Sequence, residues 1–133
     1  MCRLKLSIVN SIRINNFKDE HVVEKIMKLW KDAANRISSH EITYGVYHEY
    51  ESNYKGDYTF CIAVESDEGE MIEIPKDVTY KIYKVDKEEQ EIIITWNKIW
   101  EQEEAGILNR AYTFDYEKYY PDGEIEVYIA VLE

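Results

Sequence analysis

Glu117 lies in the run Phe114-Asp115-Tyr116-Glu117-Lys118-Tyr119, a carboxylate set among aromatic residues. Drawn into an apolar cleft, such a group costs roughly several kcal/mol unless it is paired, so either its pKa rises or it takes a cation as its partner. Desolvated tyrosine and tryptophan faces add about 0.5–2 kcal/mol each as cation–π partners, and they stack on flat ligands without demanding one shape. Tyr47, 70 residues before Glu117, and Tyr112, Tyr119, Trp96 and Trp100 are the aromatic candidates for that role. Each has a plainer reading. Carboxylates on strands mostly face water, Tyr47 serves equally well as a sheet-packing residue, and Trp96 and Trp100 stand on an apolar helical stripe where aromatics commonly belong to the core.

Other chemistries find little support. His21, His40 and His48 have no metal-ligand spacing, and Cys2 and Cys61 lack ligands two to four residues away. Asp67, Glu68, Glu70 and Glu73 lack the alternating pattern of a calcium loop. Phosphate-cradling glycine loops and nucleophile elbows are missing, so neither a cofactor, a metal nor a catalytic residue is expected. Sixteen basic against 27 acidic residues give a net charge of −11, which repels nucleic acid and anionic membranes and favours cationic ligands. No stretch has the ~20 apolar residues of a membrane span, the alternating first ten residues are too charged and short for a signal peptide, and two cysteines do not make a disulfide framework. A reducing cytoplasm is the expected setting.

The elements that must position these side chains read clearly. An apolar fraction of 45% and aromatic fraction of 14% indicate a globular chain, and 133 residues suffice for one core. Leu4, Leu6 and Ile8 alternate as in a strand within Met1 to Asn10. Val22, Val23, Ile26, Leu29, Trp30, Ala33 and Ile37 recur at helical spacing, predicting a helix over 19–35 with Asn16 or Asp19 as its cap. Residues 44–50 and 58–65 form a predicted hairpin, and acidic 66–75, with Gly69 and Pro75, reads as a connection between halves.

The order then repeats, with a strand at 78–85, a helix at 91–104 and a hairpin of 113–119 and 124–132 across Pro121-Asp122-Gly123. Leu29-Trp30 matches Ile99-Trp100, and Ile62-Ala63-Val64 matches Ile129-Ala130-Val131. The expected fold is one α+β domain of two pseudo-symmetric strand–helix–strand–strand repeats, about 1–65 and 76–133. Neither half can build a full core alone, so both pack into one antiparallel sheet system with two helices on one face framing a cleft.

A set of segments, in this order and spacing, resembles a known family. They are Ile12-Arg13-Ile14-Asn15-Asn16, Leu29-Trp30, Tyr44-Gly45-Val46-Tyr47 leading to Tyr50-Glu51-Ser52, Gly56-Asp57-Tyr58-Thr59, Trp96-Asn97-Lys98-Ile99-Trp100, Arg110-Ala111-Tyr112-Thr113, and Phe114 to Tyr119 ending in Glu126-Val127-Tyr128-Ile129-Ala130. Across nearly the whole chain the pattern is similar to the GyrI-like small-molecule-binding domains, which also serve as effector-binding domains of AraC-type and MerR-type regulators, and within them to the integron-associated and YdeE-like branch. That resemblance implies a cleft in which a glutamate of the next-to-last strand, here Glu117, and surrounding aromatics receive amphipathic, often cationic, compounds. It implies a sensor or sequestering protein. Two alternatives from the same resemblance are a hydrolase of reactive small molecules using Glu117, and a protein that binds a partner such as a regulator or DNA gyrase. The DNA-binding part of the regulators has no counterpart in these residues.

Overall fold

The computed structural model describes residues 3–38, 40–52, 56–66, 68–75, 78–85 and 92–132; Cys2, the loop centre at 53–55, Asp67 and Glu91 lie outside them. Nine elements follow in the order β1 (Arg3–Ile14), α1 (Val22–Ala34), β2 (Thr43–His48), β3 (Tyr58–Val64), β4 (Met71–Pro75), β5 (Tyr80–Lys84), α2 (Ile92–Glu104), β6 (Asp115–Tyr119) and β7 (Ile125–Ala130). The α+β class and both helix–hairpin repeats are as the sequence predicts. All seven strands join one antiparallel sheet in the order β4-β1-β3-β2-β6-β7-β5.

Without β4 that order is symmetric under exchange of the two halves, and the pseudo-two-fold passes through the β2–β6 pair at Val46↔Tyr116. Strand β4 is a correction. Residues 66–75 read as a connection because they are acidic and end in proline, yet Met71–Pro75 pairs with β1, burying Ile72 and Ile74 while Glu73 faces out. Pro75 is tolerated because β4 is an edge strand.

Connection length dictates the sheet's shape. Laid flat, seven strands would separate β4 from β5 by about 29 Å, whereas the chain from Pro75 to Tyr80 can span at most about 18 Å. The sheet therefore curls. Its inner face closes on Leu6, Tyr44, Val46, Cys61, Ala63, Ile72, Ile74 and Tyr116, with no helix among the described residues packed against them. Tyr116 and Tyr128, cross-strand neighbours, stack there at 4.6 Å, with Tyr44 and Tyr80 against Tyr116 at 5.7 Å.

The outer face carries the helices. Strand β1 serves both faces because it is longer than expected, running to Ile14, and because its register slips between Ile8 and Asn10. Leu4, Leu6 and Ile8 pack into the inner core, whereas beyond the slip Ile12 and Ile14 pack outward with Ala33 of α1. Helix α1 begins at Val22, later than expected, with His21 in the cap position and no side-chain cap. Asp19 instead accepts from the His21 N–H at 2.9 Å, closing the turn that leads in.

Helix α2 ends in a Schellman turn. Gly106, at φ 78°, donates to the Glu103 carbonyl at 3.1 Å and Ile107 to that of Gln102 at 3.1 Å. The chain reverses there and brings Arg110 back beneath the last turn of the helix, 3.3 Å from the Glu103 carboxylate. Among the described residues no helix is long and apolar enough to cross a membrane.

Candidate functional site

Between α1 and α2, over the outer face of the sheet, lies a cavity of about 580 Å³. Helix α1 contributes Val22, Ile26 and Trp30, α2 contributes Ile92, Trp96 and Trp100, and the sheet supplies Tyr47, Tyr58, Glu117 and Tyr119 as its floor. Val23, Met27 and Ile93 also line it, and each is at least half exposed, so the mouth is apolar.

Glu117 is 3% exposed. Alternation puts Asp115, Glu117 and Tyr119 on one face of β6, and the register sets Gly45 opposite Glu117. A Cβ on Gly45 would come within 3.1 Å of Glu117 Oε1 and of the Phe60 ring, so the bare backbone makes room for the carboxylate. Three neutral donors hold it. Tyr119 Oη donates to Oε1 at 2.6 Å, and Tyr47 Oη and Trp96 Nε1 donate to Oε2 at 2.7 and 2.8 Å.

Burial raises the Glu117 pKa, and the three hydrogen bonds only partly offset it. Tyr47 and Tyr119 are shifted well above the usual phenol value, first by burial and then by the Glu117 charge, so both stay protonated as donors. Among the described residues no basic side chain pairs with Glu117. Tyr47 is also the hub of the aromatic floor, with Phe60 at 4.8 Å, Trp96 at 5.2 Å and Tyr58 at 5.6 Å.

A second polar cluster meets the cavity at Tyr50 and Arg110, both of which line it. Asp115 is fully buried. Its Oδ2 accepts from Arg110 at 2.8 Å and from the Tyr50 hydroxyl, and its Oδ1 accepts from the Ala130 N–H at 2.9 Å. The Arg110 guanidinium lies over the Tyr112 ring at 4.5 Å and the Trp96 ring at 5.7 Å. Trp96 thus touches both clusters, by its N–H to Glu117 and by its face to Arg110.

Of the six residues singled out in the sequence, Glu117, Tyr47, Trp96, Trp100 and Tyr119 meet at the cavity. Tyr112 packs behind its wall, edge-on to Tyr50 at 5.3 Å, and donates to Glu103. Sequence reasoning passed over Tyr50, Tyr58, Arg110 and Trp30. The last was within reach, since Trp30 is the counterpart of Trp100 in the repeat and meets Tyr119 edge-on at 4.9 Å. Among the described residues no group of three or more His, Cys, Asp or Glu side chains is arranged to hold a metal ion.

No sequence family matches the chain. No curated protein does either. Solved structures do. An integron cassette protein from the mobile metagenome of Vibrio cholerae superposes with a TM-score of 0.79 at 24% identity, over 99% of this chain and 92% of that one. SAV2435, solved bound to tetraphenylphosphonium, superposes with a TM-score of 0.63 at 13% identity, over 99% of this chain and 90% of that one. At these identities the likeness is one of fold, and it takes in the whole chain: both helices and the curled sheet between which the cavity lies belong to an architecture shared with these two proteins.

Proposed function

We propose that the protein binds organic cations of aromatic or amphipathic character in the cavity between α1 and α2, as an effector-binding domain of the GyrI-like kind that senses or sequesters such compounds. One observation carries the reading. Glu117 is a buried carboxylate held, among the described residues, only by neutral donors, inside an aromatic-walled cavity, while Asp115 two residues away on the same face already has its cation in Arg110. A hydrogen-bonded but uncompensated charge in a poorly screened site gains most from a ligand that brings the opposite charge. Tyr47, Trp96 and Trp100 present ring surface beside it, and the exposed apolar rim of Val23, Met27 and Ile93 suits the hydrophobic part of an amphipathic ligand. Support comes also from SAV2435, whose shared fold was captured with tetraphenylphosphonium, an aromatic cation.

The test is calorimetric titration with tetraphenylphosphonium and with tetraphenylborate, ions of the same shape and opposite charge. Saturable binding of the cation, weakened in folded Glu117→Gln, is expected. Equal binding of the anion, or none of either, would sink the reading.

A further inference from the structure

Across Trp96 from Glu117, behind the part of the cavity wall that Arg110 forms, stand two more carboxylates, and both are already committed. Arg110 sits 2.8 Å from Asp115 and 3.3 Å from Glu103, and the three side chains are 2%, 0% and 16% exposed respectively. Arg110 itself lines the cavity. Had this position held a neutral residue, Asp115 and Glu103 would have stood uncompensated beside the Glu117 cavity, which would then suit a doubly charged ligand.

We propose that Arg110 restricts the ligand to a single positive charge. The inference rests on the cation-binding reading above and adds the class of cation. A monocation places its charge beside Glu117 and its neutral part along the aromatic wall toward Tyr50. A second positive charge brought up to Arg110 would be stripped of water, would find Asp115 and Glu103 already paired, and would face the guanidinium across a medium that screens poorly. Further contacts fix the pairing in place. Ala130 N–H holds the other Asp115 oxygen, Tyr112 donates to Glu103, and the rings of Tyr112, Trp96 and Tyr50 surround the guanidinium at 4.5, 5.7 and 6.0 Å.

The experiment compares an alkyltrimethylammonium ion with the bis-quaternary ion of equal chain length, titrated calorimetrically. The wild type is expected to hold the monocation at least about tenfold more tightly, since a buried charge without a partner costs more than that factor. In Arg110→Gln, checked for folding by circular dichroism, the ratio should collapse or invert as Asp115 and Glu103 become free for the second ammonium. Glu103→Gln, a change at a partly exposed site that the fold tolerates more readily, leaves Arg110 less neutralised and should widen the ratio severalfold. Equal affinities in the wild type, or a ratio unmoved in the folded variants, would overturn the role of Arg110 while leaving cation binding intact. Failure of the monocation to bind at all would instead overturn the cation-binding reading and this inference with it.

Discussion

Tyr47 and Glu117 are equivalent positions in the two repeats, 70 residues apart, and the hydroxyl of the first donates to the carboxylate of the second at 2.7 Å. Both lie one residue beyond the β2–β6 pseudo-two-fold at Val46↔Tyr116, on the face that floors the cavity. Internal symmetry thus delivers two different residues to one place, and their difference is the chemistry of the site.

Glu117→Gln keeps the volume and removes the charge. Indole N–H can only donate, so the amide oxygen must take the Trp96 side and the amide nitrogen the Tyr119 side, where the hydroxyl can turn to accept. Affinity for tetraphenylphosphonium should fall about 10- to 100-fold, in line with roughly 1.5–3 kcal/mol for interactions with a charged partner. Stability at neutral pH should hold or rise, since a desolvated charge is gone. Calorimetry and urea denaturation check the two halves.

Acidification should release cations, with a midpoint above the ordinary carboxylate range because burial raises the Glu117 pKa. The free protein behaves in the opposite sense. A folded-state pKa above the unfolded one favours the native state in acid, and that contribution is lost as pH rises through the folded value. Thermal midpoints of wild type measured against Glu117→Gln across acid to neutral pH should show the wild type losing ground as pH rises.

Tyr47→Phe preserves the ring contacts with Phe60 and Trp96 and removes one of three donors to Glu117. The ionised carboxylate is then less well held, so the pH midpoint of cation binding should move upward, with a stability loss at neutral pH of about 1–2 kcal/mol. A midpoint that stays in place would show the hydroxyl to be idle.

Gly45→Ala tests the space opposite Glu117. Gly45 does not stand among the positive-φ residues, so the added methyl is opposed by contact alone, 3.1 Å from Oε1 and from the Phe60 ring. Displacing the carboxylate should strain its bond with Tyr119, costing about 1–3 kcal/mol in urea denaturation as an overpacked core does, together with a clear loss of cation affinity.

Much of the architecture is legible in the chain because period and repetition survive in the residue types. The helical spacing of Val22, Ile26, Leu29 and Ala33, the tyrosine- and valine-rich β2, and the echo of Leu29-Trp30 in Ile99-Trp100 all correspond to observed elements. Strand β4 was hidden because Glu70, Glu73 and Pro75 outweigh the two-residue alternation of Ile72 and Ile74. The slip in β1 leaves no compositional trace, yet it decides which core Leu6 and Ile14 enter. At the site, alternation shows that Asp115, Glu117 and Tyr119 share a face without saying which face is covered. Arg110 was the hardest to see, because an arginine is ordinarily exposed and its burial depends on two carboxylates, Asp115 at the start of β6 and Glu103, which only the Schellman turn after α2 brings within reach.

The chain contains three tryptophans, and all three, Trp30, Trp96 and Trp100, stand on the cavity wall. Trp96 and Trp100 lie 6.0 Å apart, and the indole N–H of Trp96 is bonded to the carboxylate that a cation would neutralise. Intrinsic indole emission therefore arises from this one chamber, with no signal from elsewhere in the molecule to dilute it. Occupancy and protonation of Glu117 each alter the surroundings of every indole the protein has, so the fold carries its own optical reporter.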